Sequence, residues 1–143
     1  MRRLTSGIFA SMLMAAPALA SANVSCRIDD GHLRFELEAI AGRAGPITHV
    51  QDGTIEIKPA AVKLASPHIA FDLTHIVQQW SLGGDMRLQI EVGDEAGKQN
   101  VNLVILARLN EKTDKYAGHY VLKIAIAGKS KELKGCIKES EAG

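Results

Sequence analysis

The stretch VSCRIDDGHLRFEL, residues 24–37, decides the fold class because apolar and polar residues alternate on both sides of an Asp-Gly pair. Alternation with a period of two is typical of a strand with one buried face, and Asp-Gly favours a two-residue hairpin turn. Pairing residue 29 with residue 32 aligns apolar side chains across the hairpin, among them Cys26 with Phe35. The stretch therefore predicts a β-hairpin whose inward row is apolar and contains Cys26.

A second Asp-Gly pair lies in ITHVQDGTIEIK, residues 47–58, and the same rule predicts a second hairpin that pairs residue 51 with residue 54. Residues 69–73 alternate like a further strand. Beyond them a helix is predicted over residues 74–81, because apolar residues recur at helical spacing and Gly83-Gly84 follows as a stop signal. The members of that apolar stripe are Leu73, Ile76, Val77 and Trp80.

The rest of the chain alternates clearly in three further strands, which begin near residues 85, 100 and 119, and a last strand follows at residues 131–139. The stretch NVNLVILARL, residues 100–109, is apolar on both faces and is predicted to be a central strand. Together these patterns predict a single all-β domain over residues 21–143. The expected architecture is an antiparallel β-sandwich or small β-barrel of about seven to eight strands with one short helix.

The first twenty residues, MRRLTSGIFASMLMAAPALA, combine an arginine pair with an apolar run and end in Ala-Leu-Ala. This is the pattern of a secretory signal peptide, residues 1–20, and it predicts a periplasmic or secreted protein. The apolar run is too short and too rich in alanine for a membrane span, which argues against the alternative of a retained anchor. A second alternative is lipid attachment at Cys26, but Asn23 occupies the position three residues earlier where an aliphatic residue is expected.

Charge excludes one class of partner. The chain has 17 Lys and Arg against 16 Asp and Glu, and removal of Arg2 and Arg3 with the signal leaves one excess negative charge. No basic run interleaved with aromatic residues is present, so nucleic acid is not an expected partner. The composition gives no indication of an oligomeric state.

The two cysteines, Cys26 and Cys136, are predicted to form a disulfide, since an exported chain meets an oxidising compartment. Strict alternation in KELKGCIKE, residues 131–139, would turn Cys136 outward among charged residues, whereas Cys26 faces inward. A bulge at Gly135 would rotate Cys136 toward the core and allow the bridge. The prediction is therefore a bulge at this glycine and a disulfide between the first and last strands.

No catalytic or metal-binding motif is recognisable. The five histidines show none of the spacings that present two metal ligands from one element. Neither a nucleophile elbow nor a phosphate-binding glycine loop occurs, and cysteines held in a disulfide supply no thiolate. The sequence thus predicts no enzyme, no metal and no cofactor, with an enzyme of dispersed catalytic residues as the alternative.

What remains is a binding protein of the cell envelope, whose partner is another envelope protein or a small apolar ligand. A variant of this hypothesis is a hydrolase inhibitor that uses the loop at residues 110–118. Trp80 is the one residue with a candidate ligand role. Its position in a helical stripe favours a plug in the core, and the alternative is that it lines an apolar pocket.

Overall fold

The chain forms two antiparallel β-sheets, as seen in a computed structural model that describes residues 22–42, 45–113 and 115–141. The predicted signal peptide, residues 1–20, lies outside the described residues. The first sheet has four strands in the order β1 (Ala22–Asp29), β2 (Leu33–Ala41), β3 (Ile47–Ile57) and β4 (His68–Ala70). The second has five in the order β5 (Ile76–Leu82), β6 (Asp85–Gly93), β7 (Gln99–Asn110), β8 (Lys115–Ile126) and β9 (Lys129–Glu141).

The all-β prediction is confirmed, with nine strands in the described residues in place of seven to eight. Each strand pairs with its neighbour in the sequence, so both sheets are simple meanders. β7 lies in the middle of the five-stranded sheet, as its apolar pattern predicted. The alternation from residue 85 onward is also confirmed, because Leu88, Leu103 and Leu122 are all buried while the residues beside them in each strand are more exposed.

The predicted helix over residues 74–81 is wrong, because most of this stretch is the edge strand β5. Only Leu73–His75 is helical, as one 3-10 turn capped by the Asp72 carboxylate, which accepts a hydrogen bond from the Thr74 amide. Gly83 and Gly84 have φ angles of 58° and 87° and connect the paired residues Leu82 and Asp85. Positive φ at both central positions is the type I′ hairpin turn, so this glycine pair joins two strands and does not end a helix.

The first hairpin forms, but its register differs by two residues from the prediction. Cys26 pairs with Leu37, and the last pair before the turn is Asp29 with Arg34. The Asp30 carboxylate accepts the backbone amides of His32 and Leu33 at 2.8 and 3.1 Å, which stabilises a longer turn. Since a shift of two residues preserves facing, Cys26 is still buried, with 4% exposure.

The second predicted hairpin does not form, because residues 52 and 53 lie inside the continuous strand β3. Gly53 is needed there for another reason. A Cβ atom at this position would lie 2.6 Å from the Phe71 carbonyl oxygen and 2.8 Å from its ring, and the Phe71 amide donates to the Gly53 carbonyl at 2.9 Å. The glycine therefore allows the segment after β4 to cross the strand closely.

Cys136 lies where strict alternation places it, and the predicted bulge at Gly135 is absent. Gly135 pairs with Tyr120 and Cys136 with His119 in continuous register. A Cβ at Gly135 would lie 2.4 Å from three atoms of the Tyr120 side chain, so this glycine makes room for a fully buried aromatic ring. Cys136 is exposed, Cys26 is buried, and they form no disulfide. The disulfide prediction is wrong because it required the bulge to turn Cys136 inward.

One hydrophobic core draws side chains from both sheets, and we call the sheet faces that contribute to it the inner faces. Large side chains fill the core beside the first hairpin turn, where the rings of Phe35 and Phe71 stack with centroids 5.7 Å apart. Tyr120 is completely buried, and its hydroxyl donates to the Asp30 carboxylate of the turn. This bond ties the first hairpin to β8 across the core.

Candidate functional site

A cavity of about 500 Å³ lies against the inner faces of both sheets, and we call it the inner cavity. The first part of β1 contributes to its lining, together with Ala41, Gly42, Gly45, Pro46 and Ile47. Strands β5 to β9 contribute the other part, including Met86, Ala107 and Ile137. The cavity thus begins where the large aromatic side chains of the core end.

Small residues explain why this end of the core is not filled. Alanine, glycine and serine account for much of the lining, whereas the opposite end is packed with phenylalanine, leucine and isoleucine. A chain that only needed a stable core would fill such a volume, since each unfilled methylene costs contact energy. The small lining residues are Ala22, Ser25, Ala41, Gly42, Gly45, Ser81 and Ala107.

A glutamine side chain closes one wall of the inner cavity. The Ile47 amide donates to Gln79 Oε1 at 2.7 Å, and Gln79 Nε2 donates back to the Ile47 carbonyl at 3.1 Å. Ile47 lies in the part of β3 that β4 does not reach, since β4 pairs only with Thr54, Ile55 and Glu56. The side-chain amide of Gln79 therefore hydrogen-bonds to the backbone N–H and C=O of Ile47, as a neighbouring strand would, and it links the two sheets.

The described lining of the inner cavity contains no carboxylate. Arg87 is its one formally charged residue, and the remaining polar groups include the Tyr116 hydroxyl and the Cys26 thiol. A mostly apolar surface with few polar groups is typical of sites for small organic molecules.

Trp80 lines this cavity, and the prediction that it plugs the core is wrong. Its exposed fraction is 52%, and it lies in β5 between Gln79 and Ser81. Because the Gln79 side chain bonds to Ile47 across the inner cavity, alternation places the Trp80 side chain on the outer face of the sheet, beside its cross-strand partner Arg87. Both residues line the inner cavity and also a second groove on the outer face. A ligand role for Trp80 stays a prediction.

A second, more open groove of about 650 Å³ lies along the outer face of the five-stranded sheet, and we call it the outer groove. The pairing register explains how it is built. Trp80 pairs with Arg87, Arg87 with Leu106, and Leu106 with His119. These four residues all line the groove, and they form one row across four strands. Cys136, which pairs with His119, ends the row on β9. Sequence reasoning missed the row, because cross-strand register is not visible in any single strand.

The hydrogen-bonded pair of Tyr120 and Asp30 stabilises the fold. Burial raises the pKa of Tyr120, and its hydrogen bond to the Asp30 carboxylate raises it further. Burial acts against ionisation of Asp30, but hydrogen bonds from Tyr120 and from the amides of His32 and Leu33 lower its pKa below the usual value. None of these residues lines either cavity. The group therefore anchors the hairpin turn.

The described residues contain no cluster of three or more potential metal ligands. Within the same ranges, no helix has the length and apolar character needed to cross a bilayer.

The loop predicted at residues 110–118 is shorter than expected, since β7 continues to Asn110 and β8 begins at Lys115. Asn110 stabilises the turn, because its side-chain oxygen accepts a hydrogen bond from the Lys112 amide and its carbonyl accepts one from the Thr113 amide.

The chain matches no protein-family model, no curated protein and no solved structure.

Proposed function

We propose that the protein is an exported, non-catalytic β-domain that binds a small, mainly apolar molecule in the inner cavity. The observation that carries this proposal is the cavity itself, about 500 Å³ of space lined by small and apolar residues of both sheets. Pockets for small molecules range over roughly 300–1,000 Å³. Water is poorly stabilised in an apolar cavity of this size, because a buried water needs several hydrogen-bond partners. An apolar ligand instead makes van der Waals contacts with the lining.

The proposed architecture is a sandwich in which the two meanders pack face to face and leave one end open to ligand. Support comes from the shared core and from the link between Gln79 and Ile47. Export rests on the signal pattern in residues 1–20. It is tested by intact-mass measurement of the periplasmic fraction, which should show a chain that begins near Ser21 without a lipid on Cys26. A diacylglyceryl mass would contradict this part of the proposal.

The binding proposal is tested with the neutral fluorophore 1-N-phenylnaphthylamine, whose emission rises in apolar surroundings. Energy transfer from Trp80, the sole tryptophan, reports whether the probe lies near this cavity. We expect saturable binding of one probe per chain. Ala41→Leu should weaken it at least tenfold, because Ala41 is 7% exposed and lines the cavity, so the larger side chain occupies the ligand volume.

Ala125→Leu is the matched control, since Ala125 belongs to β8 but lines neither cavity. This variant should bind the probe as the unchanged protein does. Absence of saturable binding, or equal binding by a folded Ala41→Leu variant, would refute the proposal. Circular dichroism and thermal melts establish that both variants fold.

A second candidate is binding of an envelope protein along β5. The exposed large apolar residues of the described chain cluster there and just before it, with Val77 at 52%, Leu82 at 69% and Leu73 at 38% exposure. An edge strand with such side chains can pair with a strand of a partner. Cross-linking in periplasmic extract tests this. A defined partner that is lost on Leu82→Lys but retained on Ala125→Leu would favour protein binding over the small ligand.

A further inference from the structure

We infer that the outer groove is a second binding site beside the inner cavity, with which it shares Trp80 and Arg87, and that it takes a small planar organic anion such as an aromatic carboxylate. In this site the carboxylate lies against the guanidinium of Arg87 and the aromatic part against the indole of Trp80.

The register brings the two binding groups together. Trp80 and Arg87 are directly paired between β5 and β6, and directly paired side chains on one face have Cβ atoms about 4.5–5.5 Å apart. Leu106 follows on β7 and His119 on β8. An aromatic surface, a guanidinium, an aliphatic side chain and an imidazole thus line one continuous groove.

Arg87 forms no ion pair with any residue that the structure describes. Its Nε atom is buried and has no hydrogen-bond partner among the described residues. The carboxylate closest in the sequence is Asp85, but both of its oxygens accept from Arg108, Oδ1 from Nε and Oδ2 from Nη2 at 3.0 Å. A buried donor without a partner loses hydration without compensation, so an anion that accepts from Arg87 recovers that loss.

The groove as a whole attracts anions. Its charged lining residues are Arg87, Arg108 and Asp85, which leaves one excess positive charge with His119 neutral. The guanidinium is planar and presents adjacent N–H groups that match a carboxylate, whereas a single ammonium would not select for this shape.

The shape of the groove favours a flat ligand. Its remaining lining includes Ala117 and Gly118, which precede His119 on β8, so little side-chain volume obstructs the groove next to this histidine. Gly118 cannot be replaced without displacing backbone, since a Cβ there would lie 2.0 Å from the Leu106 carbonyl oxygen. The exposed indole of Trp80 then supplies a stacking surface.

The test is isothermal titration with 2-naphthoate, compared with the neutral 2-naphthamide of the same ring. We expect 2-naphthoate to bind at least tenfold more tightly, and its affinity to fall as salt is raised. Arg87→Gln should remove the preference for the anion. Arg87→Lys should recover only part of it, because the charge remains but the planar pair of donors does not. Trp80→Leu should weaken both compounds alike.

Ala41→Leu separates this site from the inner cavity, since Ala41 lines only the latter. The inference predicts that 2-naphthoate still binds this variant with unchanged affinity, whatever happens to 1-N-phenylnaphthylamine. Equal affinity for naphthoate and naphthamide, an Arg87→Gln variant that binds the anion normally, or loss of naphthoate binding on Ala41→Leu would each overturn it. Thermal melts of the Arg87 variants establish that they fold.

Discussion

Replacing Gly135 by alanine should destabilise the protein strongly, although an alanine on an edge strand is ordinarily harmless. The added Cβ would lie 2.4 Å from Cε1, Cζ and the hydroxyl oxygen of Tyr120, whereas ordinary contact begins at 3.4 Å. The ring must therefore move by about 1 Å, the difference of these two distances. Tyr120 has no exposed surface into which it can retreat, so the core around it must shift as well.

Two costs add up. Forcing an extra carbon into a packed core costs about 1–3 kcal/mol. Displacing the ring also strains or breaks the hydrogen bond from the Tyr120 hydroxyl to the Asp30 carboxylate, and a bond to a charged group contributes about 1.5–3 kcal/mol. The free energy of unfolding of Gly135→Ala should therefore fall by about 2.5–6 kcal/mol.

Urea unfolding monitored by circular dichroism measures the loss, with Gly31→Ala as the control. Gly31 has no atom within 4 Å of an added Cβ, so its replacement should change stability by less than about 1 kcal/mol. A double-mutant cycle with Tyr120→Phe separates the two costs. Because both changes remove the same hydrogen bond, the double variant should be less destabilised than the sum of the single ones by about 1.5–3 kcal/mol. If Gly135→Ala changes the free energy of unfolding as little as Gly31→Ala does, the Tyr120 ring does not lie against this glycine. A bulge at Gly135 would then again be a possible structure.

Three further predictions concern charge and register. Arg87→Met should leave the melting temperature unchanged or raise it, because it removes a buried donor that has no partner in the described chain; a clear fall would show that Arg87 is held by a contact within the fold. Asp30→Asn should flatten the loss of stability in acid. The pKa of Asp30 is lowered in the folded state. The stability that this carboxylate contributes is therefore complete above its unfolded pKa of about 3.9 and is lost as the pH falls through the folded pKa. Urea unfolding at several acidic pH values measures this, and a variant as acid-sensitive as the parent would contradict the prediction. Finally, an acceptor dye on the exposed thiol of Cys136 should receive energy efficiently from Trp80, since four strand spacings of about 4.8 Å separate them, or about 19 Å; weak transfer would refute the strand order.

Sequence reasoning predicted the strands that have one buried face and failed where a local motif had two structural uses. The alternation of β6 to β8 predicted their facing without knowledge of the partner strands. In β9 the same alternation turns Cys136 outward, but the predicted bulge at Gly135 overrode it and was wrong. Two Asp-Gly pairs looked equivalent, yet one forms a turn and the other lies inside β3 under Phe71. The difference arises from a ring that is 18 residues away in the sequence, so no local pattern contains it.

The same limit applies to the candidate sites. The sequence identified Trp80 as a residue to examine, but its helical spacing with Ile76 and Val77 was a coincidence of four apolar residues. Pairing with β6 decides the conformation, and it turns Trp80 toward Arg87. The inner cavity was not predictable either, because its small lining residues come from β1, β2, β5 and β7 and from Gly42 and Gly45, which meet only in the folded chain.

The meander order of both sheets also bears on how quickly the chain reaches its native state. Every ladder joins strands that are adjacent in the sequence, so each pairing step closes a short loop and pays little entropy. All-β proteins usually fold slowly because distant segments must find one another. Here distant segments meet chiefly when the two finished meanders dock, and the contact between Gln79 and Ile47 belongs to that step. We therefore expect refolding to be fast for an all-β chain of this length, and substitution of Gln79 to change the unfolding rate more than the folding rate.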